Sequence, residues 1–533
     1  MMMIKTRLKR AYGLAATCLA ILLLVSITRG VDLPERTLEL PPSEDNPRNS
    51  EGAFVTLKDG RVLFVYTHFT GGGGDHSAAH LAGRTSSDGG RTWTKEDQVI
   101  VKNEGGMNVM SVSLLRLQNN NIALFYLLKN SGQDCRPVMR LSKDEGATWG
   151  EPVMCITDEV GYYVLNNDRV IQLEDGRLVA PVCLHWPKGA PKADWQGTLM
   201  CYLSDDNGKS WQRSKSAQKT FDAAGKRVTT QEPGVIELKD GRVMMFIRTN
   251  AGCQYLSYSS DGGDTWSAPV ASGIKSPVSP ASIKRLPSTG DLLLVWNDHA
   301  NIHAGLKSRR VPLSTAISKD DGKTWQCVKV LEGNPKGRYC YIAIHPVDDV
   351  VLLGYCAMSG LAHSRITRVP VSWLYEDAPK TLPVQQLSLL FKKAATGPFE
   401  RLETTLGIWS AAAGHAEVYT SSLGKGLRLQ GGEDRTVTLT LPQASFCAPL
   451  LAALGVERFT VRTPYRLIVE AKTGDGWKKV WEQGENTTVA QLHKIEISDK
   501  TIKTTQLRFR CTSVLGAIIG EMTDVYLNGY FKD

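Results

Sequence analysis

Short apolar runs interrupted by Asp-Gly, or by a relative of it, recur through the first two-thirds of the chain. They occupy residues 53–65, 113–128, 169–184, 234–248, 282–297 and 341–355. Each consists of a β-rich apolar run, a tight turn and a second run, as in Val62-Leu63-Phe64-Val65 after Lys58-Asp59-Gly60-Arg61. This is the pattern of a β-hairpin. Six hairpins at near-regular spacing predict stacked units rather than one irregular core.

A second pattern follows five of the six hairpins. The segments beginning at Ser86, Ser142, Ser204, Ser259 and Ser318 all read S-x-D-x-G-x-T/S-W, and end at Trp93, Trp149, Trp211, Trp266 and Trp325. Successive tryptophans lie 56, 62, 55 and 59 residues apart. The Asp carboxylate and Ser hydroxyl are suited to accept bonds from turn N–H groups, and Gly supplies a positive φ. The indole then packs beneath the turn. The motif is therefore expected to lock a hairpin and to carry no chemistry. The sixth unit has no such box, and an ordinary outer strand is expected over residues 363–374. Six units of about 55 residues, four short strands each, predict a six-bladed β-propeller over residues 31–376.

The pattern changes after Pro379 and Pro383, which mark a linker over residues 377–386. From about residue 387, short alternating strands without boxes are expected at 435–441, 465–471, 477–483, 506–511 and 524–530. They predict a C-terminal β-sandwich over residues 387–533. Its strand order resembles discoidin-like jelly rolls, which implies an ancillary or carbohydrate-binding module. At the other end, Lys5, Arg7, Lys9 and Arg10 precede an apolar run from residue 11 to about 27. That is the pattern of a signal peptide over residues 1–30, and predicts a secreted or periplasmic protein. Contact with a membrane is expected only if this segment stays uncleaved.

Charge narrows the functional classes. The formal net charge is +9, but five basic residues and no acids precede residue 31, leaving about +4. With no basic run elsewhere, nucleic acid is not an expected partner. A mild positive excess suits an anionic small substrate. Ten cysteines follow Cys18 without C-x-x-C or Cys/His spacing, so no structural metal is expected. Buried thiols are expected, with room for one or two disulfides after export. No cofactor is expected, and nothing in the sequence sets the oligomeric state.

Five such S-x-D-x-G-x-T/S-W segments, known as Asp boxes, on an expected six-bladed propeller resemble the sialidase (neuraminidase) superfamily, in its bacterial branch with BNR repeats. That resemblance implies an exo-α-sialidase acting on sialylated glycans or glycoproteins. It also implies three arginines from different blades gripping the sugar carboxylate, where bidentate guanidinium groups are the fitting chemistry. The matching positions are Arg48, Arg248 and Arg310. A carboxylate on the anomeric carbon repels an anionic nucleophile, which explains the Tyr nucleophile of sialidases. The resemblance places it at Tyr339, with Tyr341 as rival, since alternation along a strand puts both on one face. Glu232 in Gln231-Glu232-Pro233-Gly234 is the implied activating base. Asp75, after four glycines at 71–74, is the implied acid on a mobile loop, with His76 as its rival or assistant. Glu51, Tyr163, Asn167 and Asp168 are further candidate substrate contacts. Other readings of the same scaffold are a uronic-acid polysaccharide lyase, a different exo-glycosidase and a non-catalytic glycan-binding protein.

Overall fold

The computed structural model describes residues 33–300, 302, 308–333, 337–358, 361–376, 380–381, 395–404, 407–421, 424–429, 435–446, 450–455, 465–482, 492–496, 502–513, 520–527 and 530–531. The expected signal segment and most of the expected linker lie outside them. The fold is all-β, and the one helix among the described residues is a short turn at Val371–Tyr375.

The hairpins form where the sequence pattern puts them. In the first sheet, Arg48–Thr56, Val62–Phe69, Ala79–Ser86 and Gln98–Val101 pair in chain order. A fourth unit repeats this with Thr230–Glu237, Val243–Thr249, Cys253–Ser259 and Val270–Lys275. A fifth follows with Ser282–Arg285, Leu292–Asn297, Leu313–Ser318 and Gln326–Glu332. The second and third units are joined in one nine-stranded sheet. The link is Gly161–Val164, which pairs with Leu178–Pro187 and touches Asp134–Ser142 in parallel through Tyr162 and Cys135.

The last unit departs from expectation. Its third strand, His363–Pro370, ends at a proline and gives way to the short helix, so the strand expected to reach residue 374 is shorter. The fourth strand comes from the start of the described chain. Glu35–Leu40 pairs with His363–Pro370, giving the order Glu35–Leu40, His363–Pro370, Val350–Ala357, Cys340–Val347.

The five boxes lock their turns as the residue types dictate. In the first, the Ser86 hydroxyl donates to Asp88 at 2.8 Å and accepts from the Gly90 N–H at 2.9 Å. Asp88 also accepts from the Thr92 N–H at 2.9 Å and the Thr92 hydroxyl at 2.6 Å. Each box tryptophan packs on a different apolar cluster. The clusters lie between neighbouring units: first and second, second and third, and so on to fifth and sixth. A further cluster joins Phe54 and Phe64 of the first sheet to Ala343, Leu352 and Ile366 of the last. The eight cysteines from Cys135 to Cys356 are free thiols, seven of them buried.

Beyond residue 395 the strands form two antiparallel sheets. One runs through Arg435–Phe446, Lys503–Ser513 and Tyr465–Thr473, and the other through Gly424–Leu429, Gly520–Leu527 and Leu450–Gly455. Trp409 is fully buried and stacks on Phe509 at 6.1 Å.

Candidate active site

Four of the first strands carry a bulge. The pairing register slips between Ser50 and Ala53, Met110 and Ser113, Gln231 and Gly234, and Cys340 and Ala343. At each slip stands a residue other than glycine with positive φ: Glu51 at 50°, Ser111 at 61°, Glu232 at 48° and Tyr341 at 59°. Asp168, just before the third unit's Ile171–Gln172, has φ 55°. Such conformations cost about 1–3 kcal/mol each and persist where surrounding structure holds them. A bulge re-aims a side chain. Here the bulges bring polar side chains from separate sheets into contact with one another.

Two glycines make the bulges fit. A Cβ on Gly52 or Gly234 would stand 2.4 or 2.3 Å from the ring of Phe64 or Phe246 on the adjoining strand. Backbone and ring therefore approach more closely there than any other residue allows.

Glu232, Arg248, Tyr341 and Arg310 form one cluster. Arg248 Nη1 lies 2.6 Å from Glu232 Oε2, and the Tyr341 hydroxyl donates to Glu232 Oε1 at 3.5 Å. The Arg310 guanidinium lies over the Tyr341 ring at 5.3 Å and donates to Cys340 Sγ at 2.8 Å. Burial pushes the Tyr341 phenol pKa up and the Glu232 charge adds to this, while Arg310 and Arg248 oppose it. Burial works against the charges of Arg248 and Arg310. Glu232 and Tyr341 outweigh it at Arg248, as do Cys340, Tyr341 and Glu232 at Arg310, and both are held above the usual arginine value.

Arg48, Asp75, Glu51 and Ser111 form a neighbouring cluster. Arg48, which is buried, donates from Nη1 to Asp75 Oδ1 at 2.5 Å and from Nη2 to Ser50 Oγ at 3.1 Å. Its guanidinium packs over Phe69 at 4.7 Å. The Ser111 hydroxyl donates to Glu51 Oε2 at 2.7 Å. Burial lifts the Glu51 carboxyl to about 7, with Asp75 and Glu232 pushing the same way and Arg48 and Ser111 opposing. Glu51 thus stands between the two clusters, within the fields of Arg48 and Glu232. Burial would also lift Asp75, but Arg48 outweighs it, with help from Lys129 and His76, and holds this carboxyl below its ordinary range.

The glycine-rich loop is tethered. Asn108 donates from Nδ2 to the carbonyls of Asp75 and Ser77 at 3.0 and 2.8 Å. Lys129, itself buried, donates from Nζ to the Asp75 carbonyl at 2.7 Å. The Asp75 side chain remains 61% exposed. His76 turns its ring toward Tyr162, with centroids 6.4 Å apart.

The structure separates Tyr339 from Tyr341. Tyr339 is buried in the cluster between the fifth and last units, against Tyr355 at 6.3 Å, and it is not brought to Glu232. The slip at Tyr341 breaks the alternation that would have put both on one face. Tyr163 likewise lies in the core, edge-on to Tyr202, while its neighbour Tyr162 meets His76 and Lys129. Asn167 and Asp168 tie sheets together. Asn167 Nδ2 donates to the carbonyls of Gly52 and Tyr341 at 2.8 and 3.1 Å. Asp168 accepts from Lys284 Nζ at 3.0 Å and from the Ile344 N–H at 2.9 Å. Sequence reasoning passed over Ser111, Asn108 and Lys129 as parts of the site. A buried lysine and a strand-borne serine have no local signature there.

The chain has relatives in sequence and in fold. A model of the BNR repeat-like domain matches residues 72–352. The chain belongs to the BNR repeat-like family of the sialidase superfamily. It is 27% identical over 316 residues to a sialidase of Bacteroides fragilis, covering 52% of this chain and 54% of that protein. It is 25% identical over 334 residues to a sialidase of Micromonospora viridifaciens, covering 56% of this chain and 48% of that protein. The chain thus spans about half the length of these curated relatives. Among solved structures, a Hadza microbial sialidase superposes with a TM-score of 0.50 at 18% identity, covering 62% of this chain and 67% of that one. A Trypanosoma rangeli sialidase does so with 0.50 at 13% identity, covering 93% and 95%. At such identities the likeness is one of fold.

Proposed function

We propose that this family member is an exported exo-α-sialidase that hydrolyses terminal sialic acid from glycoconjugates with retention at the anomeric carbon. The reading rests chiefly on Tyr341, set between Glu232 at 3.5 Å and the Arg310 guanidinium, with Arg248 2.6 Å from the same Glu. In the proposed architecture the hairpin units are six blades of a propeller within residues 31–376. The cyclic series of apolar clusters, last unit against first, supports this. The two C-terminal sheets are proposed as a sandwich with an ancillary or glycan-binding role.

The proposed chemistry follows from the residue types. Arg248, Arg310 and Arg48 bind the sugar carboxylate, which bidentate guanidinium groups suit. The Tyr341 hydroxyl proton passes to Glu232 as the phenolate oxygen attacks the anomeric carbon. The bond to the leaving oxygen breaks, and that oxygen takes a proton from Asp75. Water then hydrolyses the tyrosyl glycoside with Asp75 as base. The high phenol pKa makes a positioned base necessary, and Glu232 lies in reach.

Asp75 needs its proton, yet Arg48 keeps it ionised. A substrate carboxylate arriving at Arg48 would compete for the same guanidinium and displace Asp75. Freed from its cation, Asp75 rises toward the protonated form as the leaving group comes within reach. Substrate binding would thereby arm the acid.

The test is turnover of a fluorogenic N-acetylneuraminic acid glycoside by the wild type, Tyr341→Phe, Tyr339→Phe and Glu232→Gln. Release is expected from the wild type and Tyr339→Phe, with kcat falling about 10²- to 10⁴-fold in the other two. Equal activity in all four would reject the pair. An unsaturated product absorbing in the ultraviolet, formed from a uronate polymer, would assign the site to a lyase instead.

A further inference from the structure

Trp195 is the most exposed tryptophan among the described residues, at 56%, yet it sits on a turn that leaves it little freedom. The Asp194 N–H donates to the His185 carbonyl at 2.7 Å, and the Gly197 N–H to the Asp194 carbonyl at 2.9 Å. The Gln196 carbonyl accepts from the N–H and hydroxyl of Thr230 at 2.9 and 3.0 Å, two residues before Glu232. Gly197 has φ 73°, and a Cβ there would meet Cys183 Sγ at 2.4 Å. A large apolar ring held rigidly in water is the kind of exposure that calls for a function.

The rings behind it lead to the site. Trp195 packs on buried His185 at 5.5 Å and edge-on to Tyr162 at 6.1 Å. Tyr162 in turn lies 6.4 Å from His76, the residue after Asp75. Lys129 Nζ stands 5.2 Å from the Tyr162 ring and donates to the Asp75 carbonyl. The aromatic series therefore begins at the loop carrying the proposed acid and ends at an exposed indole. An acid that protonates a leaving oxygen must face the leaving sugar, so this series lies on the leaving-group side.

We propose that Trp195, backed by Tyr162, is a platform for the neutral pyranose attached through the scissile bond, stacking on its C–H face. The proposal rests on the sialidase reading for the direction of the sugar and on ring geometry for the surface. It makes Trp195 a specificity residue that discriminates by leaving group and does not touch the sialic acid.

The experiment compares kcat/KM for two glycosides of N-acetylneuraminic acid, one with lactose and one with methanol as leaving group, in wild type, Trp195→Ala and Trp195→Phe. Trp195→Ala is expected to lose about tenfold on the lactoside and to keep the methyl glycoside rate within about twofold, while Trp195→Phe keeps most of both. Equal losses on the two substrates, or no loss on the lactoside, would overturn the platform. Saturation-transfer NMR with lactose alone separates the two readings. Lactose signals in the wild type that vanish in Trp195→Ala support the platform even if neither glycoside turns over, in which case only the sialidase reading falls. Lactose signals unchanged in Trp195→Ala remove the platform and leave that reading standing.

Discussion

At the scale of single residues, the site turns on which charges are already paired. Arg248 has Glu232 at 2.6 Å and Arg48 has Asp75 at 2.5 Å, so under the proposed mechanism two of the three arginines reach an incoming carboxylate only by sharing or exchanging a partner. The two pairs differ in kind. Arg248 and Glu232 are both 11% exposed, whereas Asp75 is 61% exposed and free to leave. Replacing Asp75 by Asn removes the one carboxylate bonded to the buried Arg48 guanidinium and leaves it only the field of Glu51. Free N-acetylneuraminate, measured by calorimetry, is then expected to bind about three- to tenfold more tightly, although turnover is lost. Weaker binding would mean that Asp75 contacts the sugar directly and that Arg48 is not contested.

That Glu232 and Arg248 would stand together was legible in the sequence, because Gln231-Glu232-Pro233-Gly234 opens a hairpin whose second strand carries Arg248, and Gln231 pairs with Arg248. Which tyrosine stands beside Glu232 was not. Glu51, Ser111 and Glu232 each stand nine residues before the left-handed residue of the following turn: Gly60, Asn120 and Gly241. In the last sheet the turn is tighter, Val347 pairing with Val350, and the same count back from Asp348 lands on Tyr339. The bulge instead aims Tyr341. Alternation carries a register only where no residue is inserted, and an insertion leaves no mark in the hydrophobic pattern.

At the scale of elements, the boxes are local devices, which is why the sequence announces them. Asp88, Asp206, Asp261 and Asp320 all fall to about 2. In Asp320 the bonds from Thr324 lead; in the other three, partial burial opposes and the bonds from their own Thr or Ser prevail. A carboxyl whose folded pKa is depressed contributes stability above its unfolded pKa of about 4, and that contribution is lost as pH falls toward 2. Circular dichroism is expected to show stability falling between those values, and Asp261→Asn to flatten the fall. A fall of the same depth in the variant would contradict this. Trp266 is the most buried box tryptophan and donates from Nε1 to the Gly263 carbonyl at 2.8 Å. Trp266→Ala is expected to cost about 3–5 kcal/mol in urea unfolding. A cost below about 1 kcal/mol would mean that the ring is not packed between sheets.

At the scale of the molecule, the six hairpins were readable but the way the last sheet is completed was not. Glu35–Leu40 joins a strand more than three hundred residues away, through Arg365 Nε to Glu39 Oε1 at 2.5 Å. Nothing local in Glu35-Arg36-Thr37-Leu38-Glu39-Leu40 tells which edge it will meet. Glu332, at the end of the fifth unit, fastens this junction. It accepts from Arg365 Nη1 at 2.6 Å, Arg36 Nη2 at 2.8 Å and the Tyr355 hydroxyl at 2.7 Å. Glu332→Ala takes from buried Arg365 its most buried partner, and a loss of about 3–5 kcal/mol is expected in urea unfolding. No loss would show that the junction does not depend on the ion network. The same junction holds the strand carrying Tyr341 beside the sheet carrying Arg48, since Cys340–Val347 and Arg48–Thr56 pack together.

The central claim is that Tyr341 attacks the anomeric carbon of a sialic acid glycoside while the arginines hold the carboxylate. Its most direct test is to trap the glycosyl-enzyme with a 2,3-difluorosialic acid and locate the adduct by peptide mass spectrometry. One adduct on the peptide carrying Tyr341, absent from Tyr341→Phe and present in Tyr339→Phe, is the predicted result. An adduct on any other residue, or none from an enzyme that turns over the glycoside, would contradict the account.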